Sequence, residues 1–188
     1  MARLQQGLVQ VYTGSGKGKT TAALGLALRA VGHGLRVCFV QFMKSDRSTG
    51  ERAAAARLHP ELEIHVFSAP HWGDRSQASK DTPWWNLPPS DEDKKQAGEG
   101  LLFAQRALSG GEYDIVVLDE VFGALARGLI SLDQVMGLIR TKSTEVELIL
   151  TGRDAPPEVI ESADLVTEMN AVKHPYERGV SARKGIEY

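Results

Sequence analysis

The densest run of residues able to do chemistry is Thr13-Gly14-Ser15-Gly16-Lys17-Gly18-Lys19-Thr20-Thr21. Three alternating glycines let a backbone wrap tightly enough for successive N–H groups to point at phosphate oxygens. Lys19 is placed to reach terminal phosphates, and the Thr20 hydroxyl suits a Mg2+ ligand. A helix starting near Thr20 adds the positive end of its dipole to the same spot. The run departs from G-x4-G-K-[ST] at its first position, which is Thr13. A dinucleotide fingerprint fits less well, because Lys19 stands where its third glycine belongs. The Gly-Lys-Thr triplet at a helix start favours phosphate binding over a glycine turn with no ligand.

A second constellation is Ile115-Val116-Val117-Leu118-Asp119-Glu120, an apolar strand ending in two adjacent carboxylates. Behind a phosphate cradle, a carboxylate at such a strand end holds the metal, the role expected of Asp119. Neighbouring residues at a strand end need not face the same way, so Glu120 has three options: the metal, the nucleotide ribose or solvent. A third is Leu148-Ile149-Leu150-Thr151-Gly152-Arg153, where an apolar strand releases a hydroxyl, a glycine and a guanidinium at its carboxyl end. Open α/β sheets bind ligands at those ends, so Arg153 is either a ligand contact or a surface arginine.

The elements that must hold these residues alternate regularly. Strands are expected at Leu8–Tyr12, Arg36–Phe42, Glu63–Phe67, Ile115–Leu118, Glu147–Leu150 and Leu165–Met169. Helices are expected at about 20–31, 51–58 and 91–108, through Arg140 after the cap Ser131, and briefly after Pro156. Gly32 and Gly34 are placed to end the first helix. Strand–helix alternation with near-continuous apolar strands implies a mostly parallel sheet covered by helices on both faces, an α/β fold. Residues 1–188 form one expected domain, interrupted by a long segment, 68–90, holding Pro70, Pro83, Pro88, Pro89 and all three tryptophans, Trp72, Trp84 and Trp85. A polar tail, 171–188, follows the last strand.

Composition narrows the function. Lys plus Arg number 22 against 24 Asp plus Glu, a formal charge of −2. A dedicated nucleic-acid binder or a polybasic membrane-surface protein needs a clear cationic excess. No apolar run approaches the ~20 residues that cross a bilayer, and the first residues lack the apolar centre of a secretory signal. A lone cysteine, Cys38, forms no intramolecular disulfide. The expectation is a cytoplasmic protein acting on small molecules, with no nucleic-acid or membrane partner.

The string Val11-Tyr12-Thr13 through Thr21-Ala22-Ala23 resembles the start of the P-loop ATP:corrinoid adenosyltransferases, the cob(I)alamin adenosyltransferases. Threonine commonly precedes the glycine run in that family. Similar too are Arg29-Ala30-Val31-Gly32-His33-Gly34, Val40-Gln41-Phe42-Met43-Lys44, Val117-Leu118-Asp119-Glu120, Thr151-Gly152-Arg153 and the ending from Val172 to Tyr188. The resemblance spans nearly the full length and implies a single P-loop NTPase-like (RecA-like) domain. It implies that Co(I) of a reduced corrinoid attacks the ribose C5′ of ATP and expels triphosphate. The nucleophile carries no proton, so no general base is needed; the charge on the departing triphosphate must be stabilised. That work falls to Lys17, Lys19, the loop amides and Mg2+ held by Thr20 and Asp119. Nucleotide contacts are expected from Gly14, Ser15, Gly16, Lys17, Gly18, Lys19, Thr20, Thr21, Arg29 and Glu120, and corrinoid contacts from Trp72 and Arg153. The resemblance further implies a homodimer, and the need for Co(I) an electron-donating flavoprotein as partner. Two other readings stay open: a RecA-like ATPase or small-molecule kinase, and a carrier that binds nucleotide and corrinoid without turnover.

Overall fold

A computed structural model describes residues 4–44, 49–69, 72 and 87–187. Six strands form one sheet: β1 (Val9–Thr13), β2 (Val37–Phe42), β3 (Leu62–Phe67), β4 (Ile115–Asp119), β5 (Glu147–Thr151) and β6 (Leu165–Glu168). Their order is β3-β2-β4-β5-β1-β6, and every neighbouring pair is parallel. Each expected strand is present within a residue or so of its expected bounds.

The apolar strands are explained by what covers them. Successive side chains of a strand face opposite ways. Val116 and Leu118 enter one core with Leu101, Leu108, Phe122 and Leu138, while Ile115 and Val117 enter the other with Ala23, Ala27 and Ala30. Helices α1 (Lys19–Val31) and α2 (Gly50–Ala55) cover that second face. The first is covered by α3 (Asp91–Ser109), α4 (Val121–Ala126), α5 (Leu132–Thr141) and α6 (Pro157–Glu161). Small residues on α1 let it lie close to the sheet; Ala23 and Ala27 are fully buried. All residues of β2, β4 and β5 are buried, whereas all four of β6, at the sheet edge, are exposed.

Helix α4 was not expected. It starts directly after β4 with no punctuating turn residue, and the turn is made instead by Glu120 in the left-handed conformation, φ 61°. The end of α1 also differs in detail. Gly32 is right-handed, and Gly34, at φ 76°, supplies the left-handed residue.

Trp72 is packed into the core. It is 7% exposed, its indole N–H donates to Asp93 Oδ1 at 2.5 Å, and the Arg127 guanidinium lies 5.1 Å from its ring centroid. Asp93 also completes the capping box of α3 with Ser90. Trp84 and Trp85 lie outside the described residues.

Two glycines test these packing arguments in opposite directions. A Cβ on Gly16 would sit 2.7 Å from the Met169 carbonyl oxygen, which is backbone on both sides, whereas one on Gly25 of α1 meets nothing within 4 Å. Gly16→Ala should lower the unfolding free energy by about 1–3 kcal/mol, and Gly25→Ala should raise it by about 0.5–1 kcal/mol, both read by urea titration. Cys38 is fully buried and burial pushes its thiol pKa upward, so iodoacetamide should alkylate it only as fast as the protein opens.

Candidate functional site

The carboxyl edge of the sheet gathers the predicted residues around one cleft of about 470 Å3. Its floor is the loop between β1 and α1. Gly18, at φ 127°, is the N-cap of α1, and no side chain caps that helix and no acid occupies its first turn. Helices α3 and α5, by contrast, close their N-termini with capping boxes, Ser90 with Asp93 and Ser131 with Gln134. The first N–H groups of α1 are thus left for a ligand, and their dipole favours an anion.

The glycines do a second job here. The end of β6 crosses the loop: Met169 N–H donates to the Thr13 carbonyl at 2.9 Å, and Gly16 N–H donates to the Met169 carbonyl at 2.6 Å. A Cβ on Gly14 would lie 2.5 Å from that same carbonyl oxygen. Thr13 fits the first motif position because its hydroxyl accepts the Ala155 N–H at 3.2 Å, tying the loop to the turn after β5. Lys19 is 6% exposed and donates to the carbonyls of Gly14 and Gly16 at 2.7 and 2.8 Å. Burial pushes its pKa downward, opposed by the nearby carboxylate of Glu120. Ser15 through Thr21 all line the cleft.

Behind the cleft lies Asp119, fully buried. Its Oδ1 accepts the hydroxyls of Thr20 and Thr151, each at 2.8 Å, and its Oδ2 accepts Gln41 Nε2 at 3.2 Å. Lys44 Nζ approaches Oδ2 to 3.6 Å. Glu120 lines the cleft itself; its N–H donates to Thr151 Oγ1 at 3.0 Å. Burial, then the charge of Asp119, raises the Glu120 pKa, and Lys44, Lys19 and Arg153 pull it back. Arg153 lines the cleft as well.

The polar tail returns to the phosphate loop. His174, Gly185, Ile186 and Glu187 line the cleft, and Lys17 donates to the Ile186 carbonyl at 3.1 Å and lies 3.7 Å from Glu187 Oε1. Glu187 is held by Arg183, whose guanidinium lowers its pKa to about 2.

Of the predicted contacts, Gly14 belongs to the loop without lining the cleft, and Arg29 and Trp72 lie away from it. Arg29 is exposed on the last turn of α1, ten residues beyond Lys19 and so ~15 Å along the axis. Trp72 is packed in the core as described, away from the lining. Residues outside the predicted set join the site: Gln41, Lys44 and Thr151 around Asp119, and His174 from the tail beside Gly185, Ile186 and Glu187. Gln41 had a readable signal, a polar side chain inside the apolar strand Val37–Phe42.

Among solved structures, a KaiC-like protein from the hyperthermophilic archaeon Pyrococcus horikoshii OT3 superposes with a TM-score of 0.55 at 17% identity, over 88% of this chain and 73% of its own. That likeness speaks for the P-loop, RecA-like fold. Corrinoid adenosyltransferases of Pseudomonas aeruginosa and Escherichia coli K12 are 36% and 35% identical over 187 residues, all of this chain and 86% and 88% of theirs. Salmonella typhimurium has a relative named corrinoid adenosyltransferase CobA at 34%. Residues 5–188 match the family described as ATP:corrinoid adenosyltransferase BtuR/CobO/CobP. With the phosphate cradle, the buried strand-end carboxylate and the full-length match in agreement, the chain belongs to the ATP:corrinoid adenosyltransferase family.

Proposed function

We propose that this protein transfers the 5′-deoxyadenosyl group of ATP to the Co(I) centre of a reduced corrinoid. The observation that carries the reading is the convergence of Lys19, the uncapped start of α1 and the buried Asp119 on one cleft, in a chain with full-length adenosyltransferase relatives. The cobalt electron pair forms the Co–C5′ bond as the C5′–O bond breaks, and the electrons leave on triphosphate. The chain's part is electrostatic. Lys19 is aimed into the loop and Lys17 stands at its mouth, each held by backbone carbonyls that it exchanges for the charge developing on triphosphate.

The oxygen-rich surroundings of Asp119 fit Mg2+, which prefers one or two carboxylates, phosphates and retained waters. The Thr20 hydroxyl is 2.8 Å from Asp119, and the buried Gln41 Oε1 has no hydrogen-bond partner among the described residues, leaving an acceptor for a metal-bound water. Thr20 and Asp119 would hold the ion, which supplies positive charge to the leaving triphosphate. Gly14, Ser15, Gly16, Gly18 and Thr21 present backbone to the polyphosphate, and Glu120 and Arg153 face the part of the substrate beyond it. A homodimer, a cytoplasmic location and a flavoprotein electron donor belong to the same reading.

Incubation with ATP and chemically reduced cobalamin should yield a light-sensitive adenosyl product and one equivalent of triphosphate. Release of ADP and phosphate, independent of corrinoid, would instead establish the ATPase or kinase reading. Lys19→Ala should cut transfer by about 100-fold or more through lost charge stabilisation, with ATP consumption and corrinoid spectra followed together; unchanged turnover would refute the role given to Lys19.

A further inference from the structure

Strand β2 ends at Phe42, and the next residue, Met43, is left-handed at φ 54°, a conformation a long side chain rarely adopts. Its surroundings hold it there. The Met43 Cε packs where a Cβ on Gly123 of α4 would come within 2.3 Å, so glycine there leaves the methionine its place. One residue on, Lys44 N–H donates to Ser68 Oγ at 2.9 Å. This strained turn directs Lys44 back over the sheet edge, to line the cleft with its Nζ 3.6 Å from Asp119 Oδ2. Lys44 is 28% exposed at its side chain; the carboxylate it faces is wholly buried.

A buried carboxylate without a counter-charge is costly. Lys19, the obvious candidate, is occupied by the carbonyls of Gly14 and Gly16. Among the described residues, Lys44 is the cation within ion-pair distance of Asp119. A divalent ion approaching Oδ2 and the Lys44 ammonium are therefore competitors for one position. The cleft offers the displaced ammonium an anion, since Lys44 and the phosphate loop line the same space.

We propose that Lys44 is an exchangeable counter-ion: it neutralises Asp119 before substrate arrives, yields that carboxylate to the divalent metal, and moves onto the polyphosphate. The inference rests on reading Asp119 as a metal-facing carboxylate. It gives one side chain two effects of opposite sign. Lys44 weakens binding of free metal, by occupying its carboxylate, and strengthens binding of polyphosphate, by adding a cation to the cleft. Metal and nucleotide are thereby coupled without any further moving part.

The two effects are separable with metal alone and with inorganic tripolyphosphate alone. Mn2+ binding is followed by loss of its free-ion EPR signal, and tripolyphosphate binding in metal-free buffer by calorimetry. Lys44→Met should bind Mn2+ about tenfold more tightly and tripolyphosphate about tenfold more weakly than the unaltered protein, on the scale of one charge-assisted contact. Lys44→Arg should keep weak metal binding and restore the tripolyphosphate affinity. Asp119→Asn should remove Mn2+ binding in the otherwise unaltered protein and in the Lys44→Met background alike. If Asp119→Asn leaves Mn2+ binding intact, the metal reading of Asp119 fails. If Asp119→Asn behaves as stated while Lys44→Met, or a Lys44→Gln variant with an unchanged unfolding transition, moves both affinities together or neither, the exchange is overturned.

Discussion

One buried negative charge organises the carboxyl edge of this sheet. Asp119 draws its partners from four places: Thr20 at the start of α1, Thr151 at the end of β5, Gln41 within β2, and Lys44 just beyond it. Leaving such a group unpaired away from water is far more costly than making any one of these bonds is favourable. The strand order explains why the partners are these. β5 lies between β4 and β1, so a hydroxyl at its end reaches the acid and shares Oδ1 with Thr20 of α1. A layered core on both faces holds the strand ends in register while the polar network forms above it.

Backbone strain collects at the same edge. Met43, Glu120 and Asp154 are the described non-glycine residues with positive φ, and each follows a strand that points at the cleft. Gly152, at φ 147°, leaves room for Phe122, whose Cβ would lie 2.7 Å from a Cβ there. Unfavourable local conformations of this kind persist where surrounding packing over-determines them, and they cluster at functional sites. Here each turns a charged or polar side chain, or its neighbour, toward the substrate space.

Much of this was legible before any coordinates. The strands announced themselves because both faces of the sheet are covered, so hydrophobicity ran continuously along β2, β4 and β5. Capping residues marked α3 and α5. Helix α4 was hidden because its punctuation is a left-handed glutamate whose N–H is held by Thr151, a tertiary contact. The tail's return to Lys17 was equally invisible, since a carbonyl and a surface carboxylate leave no periodic signature. Lys17 and Lys19 came from one motif yet occupy different environments, one at the cleft mouth against the tail and one buried among loop carbonyls. Motif spacing supplied the cradle; only the fold distinguishes its two lysines.

The contact between Met169 and the phosphate loop has a bearing on how the protein becomes competent. Residues 13 to 16 take their shape from a strand end more than 150 positions later, which buttresses Gly14 and Gly16 directly. Pairing of β1 with β6 closes the longest loop of the sheet, and such contacts are entropically the slowest to form. The phosphate loop therefore takes its binding shape only once the last strand is docked. Nucleotide then stabilises that final step above all others, by mass action on the closed form.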